Sequence, residues 1–143
     1  PVRPQPRHFT ARLDHGAVAS LDDVKKALAT GVQVVDARAG DRFRGEAPEP
    51  RPGLKSGHMP GAKNLPWNDI VENGRLKPPA ALAAAFQSAG VDLTKPVLTT
   101  CGSGVSAAIL SLALETASNR PAPVYDGSWA EWGGRPDCPV AYG

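Results

Sequence analysis

Cys101 has the surroundings of a chemical site. It ends a β-favouring run, Val97 to Thr100, and is followed by Gly102-Ser103-Gly104 and an apolar helix pattern from Val105 to about Leu114. Glycines on both sides of Ser103 allow a tight turn, so several N–H groups can face the sulfur. The helix that starts beside it adds unpaired amide donors and the positive end of its dipole. Such a setting favours thiolate over thiol, which makes Cys101 an acidified nucleophile. The plain alternative is a small buried apolar residue at a strand end, a common fate of free cysteine. A filler of that kind does not need a Gly-x-Gly turn around it.

The elements that must position this loop follow from pattern and punctuation. Ser20 is an N-cap with Asp23 completing a weaker capping box, Leu21, Val24 and Leu28 share a helical face, and Gly31 stops the helix. Val32 to Val35 is a short apolar run that reads as a buried strand ending at Asp36. Arg38 to Gly61 holds five glycines and four prolines without helical period, so a long functional loop is expected there. Ala62 to Leu65 forms a further short strand. Pro78-Pro79 opens a helix with Leu82, Phe86 and Ala89 inward, ended by Gly90. Pro121-Ala122-Pro123 introduces a last strand, Val124-Tyr125, which ends at Asp126-Gly127. Strands alternating with helices predict an α/β fold with a central parallel sheet flanked by helices. Cys101 then lies at the carboxyl end of a strand, where such sheets place their ligands.

A chain of 143 residues is one ordinary domain with a real core. A net charge of +2 without a Lys/Arg run gives no argument for nucleic acid, and no apolar run reaches the length of a membrane span. Two distant cysteines give neither a metal-ligand spacing nor a disulfide framework, and a Cys101–Cys138 bridge would consume the nucleophile. The chain opens at Pro1 and its one methionine is Met59, so it is read as a processed chain or a fragment without a signal-peptide pattern. Residues 1–19, Pro/Arg-rich at the start, read as a linker, with the catalytic domain at 20–143.

Five stretches, in order, resemble the rhodanese family: Asp36-Ala37-Arg38, Arg42-Phe43-Arg44-Gly45, Gly57-His58-Met59-Pro60-Gly61-Ala62, the Cys101 loop, and Tyr125-Asp126-Gly127-Ser128-Trp129-Ala130-Glu131-Trp132. The resemblance is to the carboxy-terminal, catalytic half of two-domain sulfurtransferases. It implies the three-layer rhodanese fold, no cofactor, and an amino-terminal rhodanese domain preceding the linker. The loop Cys-Gly-Ser-Gly-Val-Ser is similar to that of the 3-mercaptopyruvate sulfurtransferases. The thiosulfate enzymes usually carry Arg and Lys where Gly102 and Ser103 stand here, which sets two cations against a dianion. By the same resemblance, Arg42 and Arg51 bind the donor's carboxylate, a task that suits the planar guanidinium fork.

The resemblance implies covalent ping-pong catalysis, in which a Cys101 persulfide passes sulfur to a thiol or cyanide. N–H groups from about Gly102 to Ser106, including those of Gly104 and Val105, are expected to hold the sulfur. Ser103 is a loop and substrate contact, because the acid and histidine that meet the matching serine in two-domain enzymes come from the other half. The competing readings are thiosulfate sulfurtransferase activity and a sulfur-carrying or regulatory module without turnover. A cysteine phosphatase is a poor fit, since Ala107 stands where those enzymes need an arginine. His58 is expected to stabilise a turn, Trp129 and Trp132 to pack in the core, Asp36 and Asp126 to accept backbone N–H groups, and Cys138 to be a spectator in the tail. The cytoplasm is the default location for a thiol that must stay reduced, with a mitochondrion the alternative if a lost amino-terminal part carried a targeting sequence.

Overall fold

The computed structural model describes residues 8–143. The Pro/Arg-rich opening expected to be a linker lies outside the described residues as far as position 7. Twelve strands and α-helices follow in chain order: β1 (Val18–Ala19), α1 (Leu21–Thr30), β2 (Gln33–Asp36), α2 (Gly40–Arg44), β3 (Lys63–Asn64), β4 (Val71–Glu72), β5 (Arg75–Leu76), α3 (Pro79–Ser88), β6 (Val97–Thr100), α4 (Val105–Ser118), β7 (Val124–Tyr125) and α5 (Ser128–Trp132). The main sheet has the order β1-β7-β6-β2-β3, and its pairings are parallel. β4 and β5 form a separate antiparallel pair.

Successive residues of a strand face opposite sides, and the core divides accordingly. Val35 and Val97 join Leu82, Phe86, Leu110 and Leu114 on the face covered by α3 and α4. Val34 and Leu98 join Val24, Tyr125, Trp129 and Trp132 on the face covered by α1 and α5. The central strands β2 and β6 are buried on both faces, which is why Val34-Val35 and Val97-Leu98 stand as adjacent apolar residues.

The helix signals act as expected. The Ser20 hydroxyl accepts the Asp23 N–H while the Asp23 carboxylate takes the Ser20 N–H, and Gly31 closes α1 in the left-handed region at φ 75°. α4 runs beyond Leu114 to Ser118, and its stop is Asn119, which adopts a left-handed φ of 53°. Val18–Ala19, counted with the linker, instead pairs with β7 and puts Ala19 into the core. The expected long loop contains the short helix α2, too brief to show a period. No helix among the described residues is long and apolar enough to cross a membrane.

β2 leads outward to β3, whereas β6 returns to the other side of β2 and leads to β7. The carboxyl ends of β2 and β6 therefore flank the point where the winding reverses, and they stay in register to the end, Asp36 opposite Thr100. The Ala37 N–H extends this pairing by donating to the Thr100 carbonyl at 2.9 Å.

Candidate active site

At that switch point the segment after β2 and the loop after β6 line one cavity of about 450 Å³. Arg42 and Arg51 contribute to its wall, as do Gly102, Ser103 and Ser106, so the structure brings together five of the residues expected from sequence. Cys101 lies beneath this lining, 1% exposed. Gly104 is buried beside it. Val105 is not part of the wall, and its side chain is 74% exposed.

The loop folds over the sulfur. Gly104 N–H donates to Cys101 Sγ at 3.1 Å and Ser103 N–H at 3.4 Å. Gly104 sits at φ 85°, and a Cβ there would stand 3.0 Å from the Asp126 carbonyl oxygen, so both backbone and space require glycine. Burial pushes the Cys101 thiol up, but hydrogen bonds from the Ser106 hydroxyl and the Ser103, Ala107 and Gly104 amides outweigh it and leave the pKa below the ordinary value. The donor set therefore differs from the expected run of amides. Gly102 and Val105 are not in it, and the Ser106 hydroxyl and the Ala107 amide, already inside α4, help to lower the thiol's pKa.

α5 fixes the loop from behind. Trp129 N–H donates to the Cys101 carbonyl at 2.9 Å and Ala130 N–H to the Gly102 carbonyl at 3.0 Å. In a planar trans peptide C=O and N–H point oppositely, so holding the Gly102 carbonyl toward α5 turns the Ser103 N–H toward the sulfur.

The cationic wall is built from a buried ion network. Arg38 is bound by Asp36 through Nε (3.0 Å to Oδ2) and Nη2 (2.8 Å), and its Nη2 also donates to the Gly57 carbonyl. Its Nη1 reaches Glu49 at 2.9 Å, and its guanidinium lies 4.2 Å from the centre of the Trp129 ring. Glu49 in turn holds Arg42 through Nη2 at 2.5 Å and Nε at 3.3 Å. These contacts use one edge of the Arg42 fork and leave its remaining donors for a ligand. Arg51 is exposed on the rim and has no ion-pair partner among the described residues.

Other residues take structural places. His58 Nδ1 donates to the Phe43 carbonyl at 2.9 Å, and its ring stacks on Phe43 at 3.9 Å. Asp36 accepts the Arg38 N–H, as expected of a loop-fixing carboxylate, whereas Asp126 is exposed and packs against Gly104. Trp129 and Trp132 are core residues, with Nε1 groups on the Lys55 and Pro139 carbonyls. Both cysteines are free, and Cys138 is buried in the core rather than loose in a tail. Sequence reasoning missed Arg38, Glu49 and Ser128, whose hydroxyl oxygen accepts the Cys101 N–H at 3.2 Å, as parts of the site. Arg38 and Ser128 stood inside quoted motifs, but nothing in spacing alone marks them as buried.

The sequence profile of the rhodanese-like domain matches residues 20–135. The chain is 46% identical to the 3-mercaptopyruvate sulfurtransferase of Escherichia coli (strain K12), over 92% of this chain and 47% of that protein. It is 43% identical to the 3-mercaptopyruvate sulfurtransferase of Homo sapiens, over 91% of this chain and 44% of that protein. The crystal structure of SseA from Escherichia coli superposes with a TM-score of 0.73 at 41% identity, covering 85% of this chain and 45% of that one. The chain thus spans about half the length of the curated relatives it matches.

Proposed function

The chain belongs to the rhodanese family, and from that premise we propose that it moves sulfur from 3-mercaptopyruvate through a persulfide on Cys101. The observation that carries the reading is a cysteine whose sulfur receives the Ser103 and Gly104 amide hydrogen bonds beneath an arginine-lined cavity. The Cys101 thiolate attacks the donor sulfur, and the carbon–sulfur bond breaks. Its electron pair leaves as the enolate of pyruvate, which takes up a proton. The outer sulfur stays on Cys101 until a thiol or cyanide attacks it, which breaks the S–S bond and restores the thiolate. Two easier steps replace one hard one.

Arg42 and Arg51 are assigned to the donor carboxylate, which sets the sulfur over Cys101 and supplies rate through orientation. The amides of Ser103, Gly104 and Ala107 and the Ser106 hydroxyl hold the negative charge first on the thiolate and later on the persulfide. Gly102 and Ser103 give the rim no side-chain cation, which suits a donor whose charge lies away from the attacked sulfur. Sequence similarity to proteins named 3-mercaptopyruvate sulfurtransferase supports the same donor. The proposal includes a reducing location, the cytoplasm or a mitochondrion, and a thiol acceptor that is a small thiol or a reduced redox protein. It also includes an amino-terminal rhodanese unit facing the exposed Ser103, in keeping with relatives about twice the length of this chain.

Intact mass after mixing with 3-mercaptopyruvate, and separately with thiosulfate, tests the reading, with Cys101→Ser as control. The expected result is a gain of about one sulfur atom from mercaptopyruvate that is absent in the control. A gain from thiosulfate alone would replace the donor. No gain from either would replace the enzyme by a carrier or regulatory module.

A further inference from the structure

We propose that Ser128 is a positioning residue for the sulfur chemistry, its buried hydroxyl holding the Cys101 backbone in the orientation that turns the following amides toward the sulfur. The inference rests on Cys101 being the sulfur-accepting thiolate and is independent of which donor supplies the sulfur.

Ser128 is fully buried at the first position of α5, with a positive φ of 50°. Among the described residues the other non-glycine residues with positive φ are Asn73 and Asn119, both exposed. Asparagine tolerates that region in turns, whereas a buried serine held there costs about 1–2 kcal/mol. Residues kept in such conformations concentrate at functional sites.

The hydroxyl's partners explain what the strain secures. Ser128 Oγ donates its one proton to the Tyr125 carbonyl at 2.8 Å. Its lone pairs then accept the Cys101 N–H at 3.2 Å and lie 3.4 Å from the Thr100 hydroxyl. Cys101 Sγ is 4.0 Å away, and with the proton committed to Tyr125 the hydroxyl does not serve the sulfur as a donor. Ser128 therefore acts through the Cys101 backbone. It fixes the peptide entering the cysteine, and Trp129 and Ala130 fix the two that leave it. Of the charged groups beside the loop, Arg42 lies at Gly102 and Asp126 at Gly104, and neither is a hydrogen-bond partner of the Ser128 hydroxyl.

The test is the pH profile of iodoacetamide alkylation at Cys101, read by peptide mass, for the wild type, Ser128→Ala and Ser128→Gly. Glycine suits the positive φ and lacks the hydroxyl, so it separates the hydrogen bond from the strain and stays usable if the alanine variant does not fold. Both variants are expected to raise the thiol midpoint by about one pH unit, about tenfold less thiolate on the neutral side. Circular dichroism checks that each is folded. A wild-type midpoint in either folded variant overturns the inference, because the hydroxyl is then dispensable. An ordinary thiol midpoint in the wild type itself overturns the reading of Cys101 and leaves Ser128 nothing to hold.

Discussion

Glu49→Gln tests whether the cationic wall is organised from below. The Glu49 carboxylate is 2% exposed and lies between Arg38, 1% exposed, and Arg42, 27% exposed. The substitution keeps the size and one oxygen but places an amide donor against a guanidinium. Breaking a buried ion pair costs roughly 3–5 kcal/mol, because a charge is left uncompensated. Arg38 keeps Asp36 and the Gly57 carbonyl, which puts the expected loss at the low end, about 3 kcal/mol. A domain holding about 5–15 kcal/mol stays folded, and its melting temperature drops on the order of 10 °C. Arg42 loses the contacts that set its fork, and if it holds the donor carboxylate as proposed, one misplaced charge-assisted hydrogen bond lowers kcat/KM for mercaptopyruvate about tenfold to a hundredfold, mostly through KM. The sulfur cradle contains no atom of Glu49, so the alkylation midpoint of Cys101 does not rise. Urea unfolding, steady-state kinetics and alkylation read these three effects separately. An unchanged KM would refute the claim that Glu49 sets Arg42, and a raised thiol midpoint would refute the separation of wall from cradle.

Gly104→Ala forces a side chain into a left-handed position against the Asp126 carbonyl, so we expect a loss of about 1–3 kcal/mol in urea unfolding. The same change displaces an amide from the sulfur and slows Cys101 alkylation on the neutral side by about tenfold, and unchanged alkylation would remove Gly104 from the cradle. The lowered thiol pKa also makes a stability prediction. The native state binds fewer protons at Cys101 than the unfolded state between the lowered value and about 8.5, so its contribution is complete above about 8.5 and is lost as pH falls through the native value. Stability measured against pH should therefore rise more steeply across that window in the wild type than in Cys101→Ala, and parallel curves would mean an ordinary thiol.

Much of the fold was legible because its signals are local. Ser20 and Asp23 lie three residues apart, Gly31 ends α1, Pro78-Pro79 opens α3, and the strands at Val34 and Leu98 are apolar because both faces are covered. The elements that escaped are too short to carry a period. α2 has five residues, and β1 has two, whose strand character comes from pairing with β7 more than a hundred positions away. The end of α4 was misplaced for a related reason, since Asn119 marks a stop only when its left-handed backbone is seen.

The site divides along the same line. Cys101 and its glycines could be read because a thiolate cradle is one continuous loop, with donors and acceptor within six residues of each other. Arg38 could not be read as buried, because an arginine in a Gly/Pro-rich loop is ordinarily solvated, and only the arrival of Asp36, Glu49, Gly57 and Trp129 makes its burial affordable. Ser128 was hidden more deeply. Its type fits an exposed turn after Asp126-Gly127, yet α5 folds back and delivers it, with the Trp129 and Ala130 amides, to the underside of a loop some 27 positions earlier. A short helix can be held in that place because Trp129 and Trp132 anchor it in the core. The two tryptophans, whose role as packing residues was legible, are thus what allows the illegible serine to reach the cysteine.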